Sequence, residues 1–174
     1  MIKPSFEKSL KKGRVGEEYV RGLLEKKGYI VYTPKTEGAH AFDFLAIKEK
    51  EKCIALDVKS KARRNKYKDT GVNLKHYRIY EAFMKRHNMP FWLIFVDEME
   101  KKIYGNTIEA LMADKKEEFG INYPYIWKRK PDDKDGTIYW HLDSMIQMGC
   151  LECEAQELLC VLSQRNHEYR ETKS

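Results

Sequence analysis

Two strand-like apolar runs, residues 41–48 and 52–59, lie on either side of the charged tripeptide at residues 49–51. Two such runs joined by a very short polar segment predict a β-hairpin. A three-residue loop pairs Lys48 with Lys52, and this pairing fixes which residues face each other along the whole ladder. The hairpin constrains the fold strongly, because its register assigns every side chain to one face of the sheet or the other.

The predicted register places two aspartates directly opposite each other, Asp43 and Asp57. Since side chains alternate between the faces of a strand, Asp43, Asp57 and Lys59 share one face. Opposed carboxylates have Cβ atoms about 5 Å apart, and like charges at that spacing destabilise a sheet. A bound Mg²⁺ would remove the repulsion, because it prefers hard oxygen ligands, commonly one or two carboxylates with water and phosphate. The alternative interpretation is that the two aspartates end their strands independently and Lys59 merely opens a basic loop.

The remaining apolar patterns predict an α/β fold built on one mixed sheet. Helical spacing predicts helices that begin at Ser5 or Lys8 and end at Lys27, and at residues 73–87, 107–118 and 152–164. Strand-like runs lie at residues 29–32, 90–96, 102–104 and 137–142. Residues 120–136, which carry two prolines and a charged run, are expected to be irregular. The order α-β-β-β-α-β-β followed by a C-terminal addition indicates a mixed sheet flanked by helices.

The composition fits a single globular domain. The chain has 174 residues, of which 42% are hydrophobic and 34% charged, a balance typical of folded proteins with a hydrophobic core. No apolar run approaches the ~20 residues needed to span a membrane. Residues 1–18 lack the apolar centre of a signal peptide. We therefore expect a cytoplasmic protein with no membrane partner.

Positive charge is concentrated directly after the second aspartate of the hairpin. The net charge is +6, and residues 59–68 contain six Lys or Arg and no acid. Such a run is often only a solvated loop. Because it begins at Lys59, which shares a face with the two aspartates, we predict instead that it contacts a polyanion. The predicted nucleic-acid-binding residues are Lys61, Arg63, Arg64, Lys66, Lys68 and Lys75.

Three segments together resemble a known nuclease superfamily. They are GRVGEEYVRGLLEKKG at residues 13–28, AFDF at residues 41–44 and ALDVKS at residues 55–60. Their order and spacing resemble those of the PD-(D/E)XK nucleases, in particular the small members similar to archaeal Holliday-junction resolvases and restriction-type endonucleases. The resemblance covers roughly residues 8–105. Each motif is short, so the specificity lies in the combination.

The resemblance implies a restriction-endonuclease-like fold and a Mg²⁺-dependent endonuclease, with Mn²⁺ able to substitute. It implies a nuclease core over residues 1–118, with residues 119–174 as an extension packed on the same single domain. Asp43, Asp57 and the backbone carbonyl of Val58 would be the metal ligands. The predicted catalytic residues are Glu17, Asp43, Asp57 and Lys59.

Glu17 matches the additional acidic residue that this superfamily carries in its first helix. Glu17, Val20 and Leu24 lie on one helical face, so that Glu17 can point towards the sheet. Glu18 is rotated about 100° away and is the substitute. The alternative is that Glu17 is a solvated helix acid.

The sequence departs from the superfamily pattern at two places. Phe42 replaces the proline that precedes the first aspartate, a frequent variation with little effect on the chemistry. Many relatives also carry a glutamine or a similar residue at the start of the next helix. Here Asn73, Lys75 and His76 are all candidates for that position, and the sequence leaves the choice open.

The four cysteines are predicted to be packing residues. In a reducing compartment Cys53, Cys150, Cys153 and Cys160 do not predict a disulfide framework. Some helicase-associated relatives hold an iron–sulfur cluster with C-terminal cysteines, but their fourth ligand lies upstream of the nuclease motifs, where this chain has none. Cys153 and Cys160 are seven residues apart and so share one helical stripe. We expect neither an iron–sulfur cluster nor zinc.

The first functional hypothesis is therefore an endodeoxyribonuclease that hydrolyses phosphodiesters with Mg²⁺-activated water. The alternatives are a nucleic-acid-binding module that retains the fold without turnover, and an RNA-directed nuclease on the same scaffold. A protein without catalytic activity would be free to lose the destabilising carboxylate pair, so the presence of the pair favours an enzyme. DNA is the expected partner, the form of the DNA is open, and a homodimer is compatible with the resemblance.

Overall fold

The structure, a computed structural model, describes residues 4–35, 40–50, 53–64, 66–129, 135–152 and 155–156. Within these ranges the helices are α1 Pro4–Lys26, α2 Leu74–His87 and α3 Ile108–Ala113. The strands are β1 Ile30–Tyr32, β2 Phe44–Ile47, β3 Ile54–Lys61, β4 Asp69–Asn73, β5 Phe91–Asp97, β6 Lys102–Thr107, β7 Lys116–Glu118, β8 Ile121–Tyr123, β9 Tyr125–Trp127, β10 Thr137–His141 and β11 Ile146–Cys150. The predicted α/β class, with a mixed sheet flanked by helices, is confirmed.

The central sheet has six strands in the order β1-β2-β3-β5-β6-β11. Strands β3 and β5 are parallel, and the other neighbours are antiparallel. The chain passes from β3 to β5 through β4 and α2. Strand β5 lies between β3 and β6 and is buried along almost its whole length, as its uniformly apolar sequence predicts.

The predicted hairpin register is confirmed. Phe44 pairs with Leu56, Leu45 with Ala55 and Ala46 with Ile54. Continuing this ladder places Asp43 opposite Asp57. Strand β2 begins only at Phe44, so Asp43 stands just before it, and its backbone N–H donates to the carbonyl of Leu56 at 2.9 Å.

Each face of the central sheet is covered by one long helix. On one face Val20 and Leu24 of α1 are buried in a cluster with residues of β2, β3 and β5. On the other face Tyr77 and Tyr80 of α2 are buried against the side chains of β3 and β5 that point the opposite way. Asp57 and Lys59 alternate with Val58, so they lie on the α2 side of β3. Within the described ranges no helix is both long and apolar enough to cross a membrane.

A second sheet of three strands, β4-β10-β9, packs beside α2. Strand β10 matches the strand predicted at residues 137–142. Strand β4 was not predicted, and it forms because all five of its residues pair with β10, far along the chain. The segment at residues 120–136, which was predicted to be irregular, contains β8 and β9 instead.

The helix predicted at residues 107–118 is wrong in its second half. Thr107 caps the helix as expected, with its hydroxyl accepting from the N–H of Ala110 at 3.1 Å. The helix α3 ends at Ala113, and β7 follows and pairs with β8. Pairing with β8 satisfies backbone groups that the sequence alone assigned to a helix, so tertiary context overrides local propensity.

The C-terminal addition contributes an unpredicted strand, β11, to the edge of the central sheet, where it pairs with β6. Of the last predicted helix, residues 155 and 156 are helical, and residues 157–164 lie outside the described residues. Cys150 is exposed at the end of β11, so the expectation that it is buried is wrong. Cys53 is half-buried just before β3, and Cys153 and Cys160 lie outside the described residues.

Candidate active site

Asp57 is held on β3 by two side chains on the same face. Although it is a carboxylate, it is only 6% exposed. The hydroxyl of Tyr80, on α2, donates to Asp57 Oδ2 at 2.9 Å. The ammonium of Lys59 lies 2.6 Å from the same oxygen. Burial and the neighbouring carboxylate raise the pKa of Tyr80, so this hydroxyl remains a donor at neutral pH.

Asp43 lies just before β2, and its side chain hydrogen-bonds to the backbone of β3. Its Oδ2 accepts from the backbone N–H of Val58 at 2.7 Å. Its Oδ1 lies 3.8 Å from Nε2 of His40. Burial, together with the charge of Asp57, raises the pKa of Asp43 to about 7, against the opposing effects of the Val58 hydrogen bond and Lys59. The two aspartates therefore repel each other in the way that their opposed positions predict.

These groups converge on one open cavity of about 230 Å³ between the end of the hairpin and α2. Its lining is formed by His40, Ala41, Asp43, Asp57, Lys59, His76, Ile79 and Tyr80. The cavity joins two carboxylates with an ammonium and two imidazoles. Such a set can hold a hard cation and, beside it, a phosphate and water.

The donor set fits a Mg²⁺ ion bound in the manner typical of phosphate-processing sites. In the described part of the chain, no group of three or more His, Cys, Asp or Glu side chains lies close enough to hold a metal ion. Mg²⁺ commonly uses only one or two carboxylates and completes its octahedron with water and substrate phosphate. Asp43 and Asp57 supply two, and a cation would offset both the burial and the repulsion by Asp57 that raise the pKa of Asp43. The carbonyl of Val58, implied as a further ligand, belongs to the residue whose N–H holds Asp43.

Glu17 belongs to the same electrostatic environment, although the described lining of the cavity does not include it. It is half-buried, whereas Glu18 is exposed, and Val20 and Leu24 on the same helical face are buried. Burial raises the pKa of Glu17, and the nearby charges of Lys59 and Asp57 act on it in opposite directions. The helix therefore turns Glu17 rather than Glu18 towards the protein interior, as the helical spacing predicted.

Of the three residues that the sequence left open at the start of α2, His76 lines the cavity. Asn73 instead caps the helix, because its side-chain oxygen accepts from the N–H of Lys75 at 2.8 Å. The side chain of Lys75 is exposed. Burial and the positive charge of Lys59 lower the pKa of His76, which favours a neutral imidazole.

Sequence reasoning missed Tyr80 as a site residue. Its position was assigned to the apolar stripe of α2, and it is indeed 2% exposed and stacked on Phe91 with ring centroids 4.5 Å apart. Only its hydroxyl reaches the site. A tyrosine rather than a phenylalanine inside a buried stripe is a signal in itself, because a buried hydroxyl usually has a partner.

The basic run after β3 is largely engaged within the protein. Lys61 donates to the carbonyl of Gly71 and is half-buried, and burial lowers its pKa to about 8. Arg63 pairs with Asp97 and Glu100, and Lys68 lies 2.5 Å from Asp143. Lys66 is exposed.

Arg64 anchors this loop to the second sheet. Its guanidinium pairs with the fully buried Asp69 and lies 4.3 Å from the ring centroids of both Tyr67 and Tyr139. Asp69 also accepts from the hydroxyl of Tyr123 at 2.9 Å. Removal of Arg64 would leave a buried carboxylate without its counter-charge, so its first role is structural.

The raised pKa of Asp43 predicts how the stability of the metal-free protein depends on pH. Between its usual pKa of 3.8 and about 7, the folded protein keeps a proton on Asp43 that the unfolded chain has released. Ionisation of Asp43 therefore lowers the free energy of unfolding by on the order of a few kcal/mol as pH rises through this window, and this contribution then levels off. We expect unfolding by urea at a series of pH values, in the presence of EDTA, to show this decline. The decline should be smaller in Asp43→Asn, and an equal pH dependence in both proteins would contradict the assigned cause.

The fold is similar to that of a solved archaeal protein. The chain aligns with a structure described as Hjc, a Holliday junction resolvase from the archaeal hyperthermophile Archaeoglobus fulgidus, with a TM-score of 0.50 and 8% sequence identity. The alignment covers 75% of this chain and 95% of that chain. At this identity the similarity shows a shared fold, consistent with the predicted restriction-endonuclease-like architecture. No protein-family model and no curated protein matches the chain.

Proposed function

We propose that this chain is a divalent-metal-dependent nuclease that hydrolyses phosphodiester bonds in DNA as an endodeoxyribonuclease. The observation that carries the proposal is the open cavity where the opposed carboxylates of Asp43 and Asp57 meet the ammonium of Lys59. Keeping the half-buried Asp43 next to the buried Asp57 destabilises the metal-free fold, and a bound cation would offset that cost. The similarity in fold to a Holliday junction resolvase supports the nuclease class.

In this proposal the chain supplies the ligands and the cation supplies the Lewis acidity. Asp43 and Asp57 would hold Mg²⁺, or Mn²⁺ in its place, through their carboxylate oxygens, with the carbonyl of Val58 as a further ligand. When bound, the cation polarises the scissile phosphate and makes a coordinated water more acidic. The hydrogen bonds from Tyr80 to Asp57 and from Val58 to Asp43 fix the two carboxylates in place.

The remaining polar groups act on water and phosphate. Lys59 places a positive charge next to Asp57, where it orients the attacking water and stabilises charge that develops on the phosphate. His76, kept neutral, accepts a hydrogen bond or a proton at the same cavity. Glu17 is the additional acid, coupled to both Lys59 and Asp57.

The test is cleavage of a panel of substrates by the purified chain. The panel contains supercoiled plasmid, linear duplex, branched DNA, single-stranded DNA and RNA, each with Mg²⁺, Mn²⁺ or EDTA. We expect cleavage of at least one DNA form with Mg²⁺ or Mn²⁺ and none with EDTA. Binding without cleavage under any metal would identify a non-catalytic nucleic-acid-binding module. Cleavage of RNA alone would identify an RNA-directed nuclease.

Lys66 and Lys75 are the cations of the predicted binding set that we expect to contribute most to the salt dependence of DNA binding. Both are exposed, whereas Arg63, Arg64 and Lys68 already pair with carboxylates. Each phosphate contact contributes roughly 0.9 to the slope of log affinity against log salt. Replacing both lysines with Ala should therefore flatten that slope by about 2, measured by fluorescence anisotropy at several salt concentrations.

The matched control for this experiment is Lys85→Ala. Lys85 is an exposed lysine of the same helix as Lys75, ten residues further along and thus about 15 Å away. Its replacement should leave the slope unchanged. An unchanged slope in the double variant as well would mean that phosphates are bound elsewhere on the protein.

A further inference from the structure

The β7–β8 hairpin has an unusual residue at its tip. Glu118 pairs with Ile121, so the loop consists of Phe119 and Gly120, and both have positive φ, 50° and 74°. A two-residue loop of this kind strongly favours Asn-Gly, Asp-Gly or Gly-Gly, because a side chain larger than these is strained in the left-handed region. A phenylalanine is therefore a poor choice for the turn itself.

Burial does not explain Phe119 either. Its side chain is 79% exposed, the highest value among the large exposed hydrophobic residues of the described chain. The other non-glycine residues with positive φ in the described chain are polar, namely Lys50, Asn88 and Lys101. An exposed aromatic ring on a strained backbone, where a polar residue would serve the fold better, indicates a role outside folding.

The hairpin that carries Phe119 is attached to the basic loop. The ring of Phe119 meets the ring of Tyr67 edge-on, with centroids 6.3 Å apart. Glu118 Oε2 accepts from the backbone N–H of Lys68 at 3.3 Å and lies 3.5 Å from Nε2 of the buried His141. The contacts of Glu118 with Lys68 and His141 therefore hold in place the hairpin that carries the exposed ring.

Cationic side chains lie beside Tyr67, and Arg64 Cζ is 4.3 Å from its ring centroid. Tyr67 lines a cavity of about 380 Å³ together with Arg63, Arg64, Lys66, Lys68, Met99, Glu100 and Glu118. Arg63, Arg64 and Lys68 pair with carboxylates, so the positive charge that this cavity offers comes mainly from the exposed Lys66. Aromatic rings next to positive charge are the combination with which proteins bind unpaired nucleotides, the ring stacking on the base and the cations contacting phosphate.

We propose that Phe119, supported by Tyr67, stacks on an unpaired base of the bound DNA while the exposed Lys66 contacts an adjoining phosphate. The substrate class is therefore DNA with at least one exposed base face, as in a single strand, a gap or a branch. An intact duplex covers both faces of each internal base, so it offers the ring no stacking partner. The inference rests on the proposed function in taking DNA as the partner. The basic loop follows β3, the strand that carries Asp57 and Lys59.

The decisive variant is Phe119→Asn, which removes the ring and installs a residue that the turn prefers. Binding is measured by anisotropy in Ca²⁺ and in EDTA, so that turnover does not interfere, with a single-stranded oligonucleotide and with a blunt duplex. We expect about tenfold weaker binding to the single strand, in keeping with the loss of one stacked base. Duplex binding should change less than twofold, and the melting temperature should stay the same or rise. Phe119→Trp should retain single-strand binding.

The matched control is Tyr32→Ala, because Tyr32 is another exposed aromatic residue, 53% accessible, on the edge strand β1. It should bind both DNA forms as the wild type does. Unchanged single-strand binding in Phe119→Asn, or an equal loss for duplex and single strand, would overturn the inference. A change from dimer to monomer with unchanged single-strand binding would overturn it too, and would assign Phe119 to a protein interface.

The stacking inference and the nuclease proposal can fail separately. If wild type cleaves DNA but Phe119→Asn binds the single strand normally, the nuclease proposal stands and the stacking inference is wrong. If wild type cleaves nothing but Phe119→Asn loses single-strand binding, the stacking inference stands and the nuclease proposal is wrong.

Discussion

Asp57→Asn is expected to abolish DNA cleavage while leaving the protein folded. The change removes a ligand charge from the proposed Mg²⁺ site but keeps the shape of the side chain, and Tyr80 can still donate to the remaining carbonyl oxygen. Loss of one preorganised electrostatic group typically costs about 10²–10³ in rate, and loss of a charged metal ligand should cost at least that much. The measurement is nicking of supercoiled plasmid, alongside Mn²⁺ titration of the metal-free protein.

The structure refines what this variant should do to stability. Removing the charge of Asp57 relieves its repulsion of Asp43, but it also takes from Lys59 the carboxylate that lies 2.6 Å away. These effects oppose each other, so we expect a shift in the free energy of unfolding within about 1 kcal/mol. DNA affinity without metal should stay the same or rise, because a negative charge facing the phosphates is gone. Wild-type cleavage in Asp57→Asn would refute the assigned site.

The chain contains a matched control for this experiment. Asp114 and Lys116 have the same Asp-x-Lys spacing as Asp57 and Lys59, and they form an ion pair at 3.6 Å. Their side chains are 39% and 41% accessible. Asp114 follows α3 and Lys116 begins β7, so the pair lies outside the cavity lining. Asp114→Asn should leave both cleavage and Mn²⁺ binding unchanged.

Lys59→Ala is expected to separate metal binding from catalysis. Lys59 bears a positive charge and cannot be a ligand, so Mn²⁺ should bind Asp43 and Asp57 as tightly as before, or more tightly once a competing cation is removed. The rate of cleavage should fall by about 10²–10³, because the ammonium is proposed to orient the attacking water and to stabilise the charge of the transition state. The measurements are single-turnover cleavage at saturating DNA and Mn²⁺ titration.

The corresponding control is Lys116→Ala, which removes an equivalent lysine from the exposed Asp-x-Lys pair. It should cleave at the wild-type rate. If Lys59→Ala instead lost Mn²⁺ binding in parallel with cleavage, the lysine would be needed to assemble the carboxylates rather than to promote the reaction. An unchanged single-turnover rate would remove Lys59 from the mechanism.

The convergence of Asp43, Asp57 and Lys59 could be predicted because it depends on local rules. A very short connection sets the register of a hairpin, and the alternation of side chains then assigns each residue to a face. The observed pairs, such as Phe44 with Leu56, continue directly to the two aspartates. The same locality explains why α2 and β5 were predicted close to their observed limits, since each is long and strongly patterned.

The short strands could not be predicted in the same way. Strands β4, β9 and β11 have five residues or fewer, and each pairs with a segment that lies elsewhere in the chain. Their backbone groups are satisfied by those partners, so no local periodicity marks them. For the same reason the sequence placed a helix over residues 116–118, where pairing with β8 produces a strand.

The mixed α/β architecture, the hairpin register and the shared face of the two aspartates could be predicted from the sequence, because all three follow from periodicity and chain connectivity. The folded arrangement was needed to show that Tyr80 holds Asp57, that His76 rather than Asn73 lines the cavity, and that Arg64 is bound to Asp69. It also decided which Asp-x-Lys pair lies in a cavity and which lies at the surface. The reason is that a side chain's chemistry depends on its burial and on its charged neighbours, and these come from elements that meet only when the chain has folded.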